Sequence, residues 1–423
     1  MKKSNSSEGR NDLSYFILKP SSFVSRPVAL LWGKGERTIG GGIFHSLTPS
    51  PFPDFCKKSI IVALLAPLCL AMPAQAANPQ HVERLLSVKV CPGCDLSGAD
   101  LKGADLRDAN LTDAKLDGAN LSGANLTSAT LERANMTGVQ LSSGILEKAN
   151  LMNANLTEAN LQAANLQQAS LRNATLKMAK LTGANLTAAQ LNNADLDTAK
   201  LDSAKLSGAD LSQAKLGGAD FNSAVLTQAK LQGVVLDSAN LQNANLTGAD
   251  LKNATLKDAG LNGANLSDAN LSNATLTNAK MAIANLSGAD LTGANLNLAY
   301  LEKANLERAN LSGVDLSQAQ MLSANLNNAL LIGATLENAN LGGAQLNGAN
   351  LTYTNLSTAD LRGANLAGAN LSYANLNQTD FDRANLADAN LTGANLNNAK
   401  LNGVIGLSKS STSPDKTVET IEN

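Results

Sequence analysis

The sequence predicts an all-β fold in which short extended pieces and tight turns coil around an interior of Leu and Ala. Three observations carry this. A large apolar residue recurs every five positions from 96 to 401, Ala usually stands two residues before it, and no Pro occurs between Pro92 and Pro414. The large positions number 62, of which 57 are Leu and the others Met136, Phe221, Met281, Met321 and Phe381. Of the 61 centres from Leu101 onward, 55 have Ala two residues earlier; the rest have Val139, Gly144, Val234, Val314, Thr354 or Thr379. Asn or Asp usually lies between, as in Ala104-Asp105-Leu106.

The period selects the geometry. On an α-helix a five-residue step rotates the chain by about 140°, which would smear the leucines around the whole circumference. On a flat strand, Ala and Leu two apart share a face, but an odd step puts the next pair on the other face. The pattern stays consistent only if the chain turns after each Leu. Turn formers sit there, as in Ser122-Gly123, Thr182-Gly183 and Asn192-Asn193. Phe221, Met281, Met321 and Phe381 are separated by multiples of 20, so a coil of four repeats would stack all of them on one face.

Composition excludes several classes. The 423 residues are 44% hydrophobic but only 3% aromatic, too few rings for conventional cores of that size. Abundant Leu and Ala argue against general disorder, and a single short apolar stretch argues against a channel. The net charge of −2 argues against nucleic-acid binding by bulk charge. Residues 1–94 hold 11 basic and 5 acidic side chains, residues 95–403 hold 20 and 27, and the tail holds 2 and 3.

The tandem Ala-(Asp/Asn)-Leu-x-x motif resembles the pentapeptide-repeat family. The resemblance implies a right-handed quadrilateral parallel β-helix, with four pentapeptides per coil and about 15 coils. At strand spacing these would stack to roughly 75 Å.

The elements follow in chain order. Residues 1–56 are an unassigned extension, read either as genuine or as the product of a start codon assigned too far upstream. Residues 57–76 read as a signal peptide: Lys57 and Lys58, the apolar run Ser59 to Met72, then Ala74-Gln75-Ala76, with cleavage between Ala76 and Ala77. Residues 77–94 form an N-terminal cap. In it Asn78 is the N-cap and Pro79 the first residue of a short amphipathic helix, with His81 on its surface. Residues 95–403 are the repeat, and 404–423 a flexible C-terminal tail.

Within the cap, Cys91-Pro92-Gly93-Cys94 falls on the inward phase, Cys91 in the Leu place and Cys94 in the Ala place. An oxidising compartment favours a disulfide between them over buried thiols or a redox or metal pair. No metal ligand set and no cofactor are expected. The repeat contains no His and no Cys beyond Cys94, so a Ser-His or Cys-His pair cannot form there. Outside, Tyr353 and Tyr373 lie 20 apart and should stack on adjacent coils as a candidate surface contact. Arg172, Lys177 and Lys180 read as a solvated basic cluster. The expectation is a non-catalytic, rigid β-helical rod acting outside the cytoplasm (periplasm, lumen or secreted). It would serve as a structural or interaction scaffold for an unidentified protein or envelope surface, without nucleic acid or a membrane span in the mature form. The alternative is a DNA-mimicking inhibitor of a topoisomerase or other DNA-binding protein, which the resemblance brings in. High negative charge and a cytoplasmic location would be its marks.

Overall fold

A computed structural model describes residues 77–407. The signal-peptide reading over 57–76, the extension 1–56 and most of the predicted tail lie outside the described residues. The described chain opens with α1, Pro79–Val88, followed by coils that repeat one backbone unit to Ile405.

The start of α1 is set by two residues. Asn78 is extended, and its side chain accepts the backbone N–H of Gln80 at 3.0 Å. Pro79 stands where an N–H would be unpaired in any case. The helix ends at Lys89, whose φ of 55° is left-handed and whose N–H bonds the carbonyl of Leu85 at 3.0 Å. Leu85 is fully buried, and Val82 packs against the same core.

From Val90 onward, parallel bridges join each residue preceding a Leu position to the residue 20 later, from Val90↔Asn110 to Asn385↔Ile405 without a break. One repeat shows why the register holds. Leu261 N–H donates to the carbonyl of Lys280 at 2.6 Å, and Lys280 N–H donates to that of Ala259 at 2.9 Å. The turn between repeats is closed by Ala264 N–H to the Leu261 carbonyl at 3.0 Å, with Gly263 at φ +68° in third place. This is the type II signature, and every repeat uses it. Four such corners per 20 residues make each coil four-sided.

Leu and Ala positions along the middle of the coil are excluded from solvent, including Phe221, Met281, Met321 and Phe381. Thr354 and Thr379, which replace Ala, are equally buried. Each donates its hydroxyl to a carbonyl 23 residues earlier, Leu331 at 2.7 Å and Leu356 at 2.8 Å, so neither leaves an orphan polar group.

The bounds of the coil differ from the motif-based ones. At the start, Asn110 N–H bonds the Lys89 carbonyl and Cys91 N–H bonds the Asn110 carbonyl, both at 2.8 Å, so the ladder begins ahead of residue 95. At the end, Val404 and Ile405 leave the predicted tail. Ile405 N–H bonds the Ala384 carbonyl at 2.9 Å, and its own carbonyl accepts from Leu386 at 2.7 Å. The ladder is a property of the backbone, so it runs on where the side-chain motif has lapsed.

Candidate interaction surfaces

The outward half of each repeat has its own hydrogen-bond arithmetic. The N–H of the residue after each Leu finds no backbone acceptor in the ladder. Where Asn or Asp precedes the Leu, that side chain usually takes the bond, as Asn110 does from Thr112 at 3.1 Å and Asp315 from Ser317 at 2.9 Å. This Asx turn is the physical reason for the motif's polar position. Of the 24 repeats in which another residue holds the position, five carry Lys215, Thr255, Lys280, Gln345 or Lys400 and take their acceptor from elsewhere. There the previous coil supplies the acceptor: Asp197 to Gly217, Asp237 to Lys257, Asn262 to Ala282, Asn327 to Asn347, Asp382 to Asn402. Where Val90 holds the position, Pro92 removes the N–H. Asn amides also ladder along the coil axis, as in Asn285 to Asn265 at 3.1 Å, Asn305 to Asn285 at 3.1 Å and Asn325 to Asn305 at 2.9 Å.

Cys91 and Cys94 form a disulfide that faces inward under α1; Cys91 is fully buried and Cys94 nearly so. The Cys91 sulfur lies 3.4 Å from the His81 carbonyl. A bonded sulfur carries no proton, so this is packing and not a hydrogen bond. His81 is not the surface residue expected. It is half-buried, and its Nδ1 accepts the backbone N–H of Asp95 at 3.0 Å, tying α1 to the first coil. Accepting requires Nδ1 to be unprotonated. A helix pattern alone cannot disclose this, because the bond depends on where α1 lies over the coil.

Charges pair on the surface. Arg107 bridges Asp105 at 2.7 Å, Arg133 bridges Asp113 at 2.8 Å, Arg362 bridges Asp360 at 2.7 Å and Lys400 bridges Asp380 at 3.0 Å. In the basic cluster Lys177 pairs with Asp195 at 3.1 Å. Arginine hydrogen bonds hold the carboxyls of Asp105, Asp113 and Asp360 below the usual carboxylate range. For Asp95 the Ser97 side chain, and then its N–H, does the same. Each of these carboxylates is stabilised as an anion, the opposite of what a general acid requires. Among the described residues no His, Cys, Asp and Glu cluster could hold a metal, and no helix is long and apolar enough to cross a membrane.

Tyr353 and Tyr373 stack, with ring centroids 5.1 Å apart and planes 13° from parallel. Both remain exposed, at 63% and 55%. Sequence reasoning missed their apolar neighbours Leu330 and Ile332, which precede Tyr353 by one coil and are 42% and 41% exposed. It also missed a second group: Ile283 and Leu322 at a different corner, with Tyr300 on the side leading to it and Leu298 at the corner before. The signal was available: each is a large apolar residue at a place in the repeat that faces outward.

The five-residue geometry matches two family models. A family model for pentapeptide repeats matches in eight copies, over residues 94–133, 219–258, 253–293, 284–321, 324–363 and 364–403, more than half of the chain. A second model, for a pentapeptide repeat region, matches 124–201. Among solved structures, the chain is similar to HetL, a protein of the cyanobacterium Nostoc involved in regulating heterocyst differentiation. Identity is 35% over 55% of this chain and 90% of that one, with a TM-score of 0.21. A pentapeptide repeat protein of the Arabidopsis thaliana thylakoid lumen is 30% identical over 24% of this chain and 69% of its own, at a TM-score of 0.16. Full-length QnrB1, a plasmid-mediated fluoroquinolone resistance protein, is 19% identical over 51% and 84%, at a TM-score of 0.21. No curated protein matches the sequence.

Proposed function

This chain belongs to the pentapeptide-repeat family, and from that premise we propose that it is a non-catalytic, rigid β-helical scaffold for a protein or envelope surface outside the cytoplasm. Its shaft is a right-handed stack of about 15 coils, with α1 as a plug over the first. One observation carries the reading. The ladder from Val90 to Ile405 has no insertion, so each repeat offers solvent the same short corner and the Leu and Ala interior is filled. A fold of this kind presents a surface and no cleft for chemistry. The leader-like residues 57–76 support the compartment. The topoisomerase-inhibitor alternative is weakened by the surface itself, where arginine and lysine neutralise carboxylates pair by pair.

Cross-linking of the full-length product in its native cells, with cell fractionation, tests the reading. The expected result is an extracytoplasmic chain that captures a discrete protein. A cytoplasmic chain that protects a topoisomerase would overturn it.

A further inference from the structure

We infer that the corner carrying Tyr353 and Tyr373 is a binding site for a neutral saccharide; the inference rests on the scaffold reading and names the chemistry of one partner.

Side chains at this turn position lean toward the next coil. The Tyr373 ring lies over Gly393, where an added Cβ would meet its Cδ1 and Cε1 at 2.7 Å, and Tyr353 stacks on Tyr373. The remaining face of the stack, that of Tyr353, looks back along the axis toward Gly333 and Gly313. A Cβ at either would meet nothing within 4 Å. Two successive coils therefore leave an open trench of roughly 10 Å that ends against an exposed aromatic face. Ile332 and Leu330 stand beside it.

The surroundings select the ligand. Asn350, Asn370, Thr352, Ser372, Asn355 and Asn375 flank the two rings, all of them amides or hydroxyls. Asn370 gives one amide hydrogen to Thr352 Oγ1 at 2.9 Å, and Asn375 gives one to Asn355 Oδ1 at 2.8 Å. Each amide nitrogen has a second hydrogen to offer. The charges of the same coils, Asp360, Arg362, Asp380, Asp382 and Arg383, fall at a different corner. A pyranose presents a flat C–H face, electropositive and matched to the negative face of a ring, with hydroxyls around its edge for amide donors. An acidic polysaccharide, a phosphate or a nucleic acid would find no countercharge here. A proline-rich peptide could stack on Tyr353 but would leave most of the amides unused.

Native affinity electrophoresis of the full chain in gels containing hydroxyethylcellulose, glucomannan or dextran tests the site, with alginate as the acidic control. Retardation is expected in at least one neutral gel, and it should persist from about 50 to about 500 mM NaCl. Tyr353→Ala should weaken it at least roughly tenfold, and Tyr353→Phe should keep it. Gly333→Asn leaves the stack intact and fills the trench with a residue that tolerates this backbone, as Asn328 does at φ +58°; it should also abolish retardation. Equal migration in all three neutral gels, retention in alginate alone, or indifference to both Tyr353→Ala and Gly333→Asn would overturn the inference. Binding only to a proline-rich peptide would overturn it as well. The scaffold reading fails separately, when cross-linking captures no protein.

Discussion

The carboxylate of Asp237 accepts the backbone N–H of Lys257, one coil later, at 2.9 Å. Thr255 holds the place where the repeat's own Asn or Asp would sit, so Asp237 supplies the acceptor that the local sequence lacks. Replacing Asp237 with Ala should remove the hydrogen-exchange protection of the Lys257 amide and cost about 1 kcal/mol locally. Asp237→Asn should retain both. Unchanged exchange at Lys257 in the Ala variant would show that the bond contributes nothing.

Thr255 itself invites the second test. Its hydroxyl is buried and is the one such side-chain atom among the described residues without a hydrogen-bond partner. A buried, unpaired hydroxyl is a net cost, and Val has nearly the same shape. Thr255→Val should raise stability by about 1 kcal/mol in thermal melting. A lower melting temperature would mean that the hydroxyl is satisfied and that the substitution breaks its bond.

Ile283 concerns backbone strain. It is β-branched, sits at φ +54° and is 64% exposed, so it carries the strain of a left-handed conformation with little burial in return. Ile283→Asn should stabilise the chain by about 1 kcal/mol without changing the fold. Destabilisation would show that the isoleucine packs on its neighbours more than its exposure indicates.

What was legible in the sequence was whatever repeats. The five-residue period put Leu261 and Ala264 inside, and the 20-residue spacing put Tyr353 on Tyr373. Asn78 and Pro79 announced the start of α1 through local chemistry alone. What was not legible depends on which coil lies above which. The bond from Lys257 to Asp237 spans 20 residues, and a motif that tolerates Thr at 255 gives no hint that Asp237 compensates. His81 looked like a surface residue because its acceptor role exists only once α1 is laid over Asp95. Leu330 and Ile332 were hidden for another reason: they stand on the outward phase, which the five-residue core pattern leaves unconstrained.

The acid response follows from the surface carboxylates. Hydrogen bonds from Arg107 and Arg133 lower the pKa of Asp105 and Asp113, one from Arg362 lowers that of Asp360, and one from Ser97 lowers that of Asp95. A carboxyl with a depressed folded pKa contributes stability that is complete above its unfolded value, about 4, and is lost as pH falls through the folded value. Below about pH 4 the unfolded chain binds more protons, so stability should fall with acid there, and these groups should leave it flat from about pH 5 to 7. The loss should be modest, since the pairs are solvent-exposed. Melting temperatures across that range check the sign, and greatest stability near pH 3 would contradict it.

The N-terminal end is held by two devices, and each should fail locally. The Cys91–Cys94 bond closes a very short loop, which removes little conformational freedom from the unfolded chain. Its effect is therefore expected in how the first coil meets α1 and not in the whole shaft. His81 supplies the other tie through Asp95 N–H, and His81→Ala leaves that half-buried donor without its partner. In repeat arrays each coil is supported by its neighbours, so damage at one end stays near that end. Both His81→Ala and the double variant Cys91→Ser with Cys94→Ser should raise hydrogen exchange in α1 and in the amides of residues 90–115. Those near Leu261 should stay protected. The His81→Ala change should speed exchange at Asp95 in particular, because that amide loses its acceptor. Uniform loss of protection from α1 to Ile405 in either variant would show that the end is a nucleus for the whole stack, and unchanged exchange at Asp95 would remove His81 from the tie.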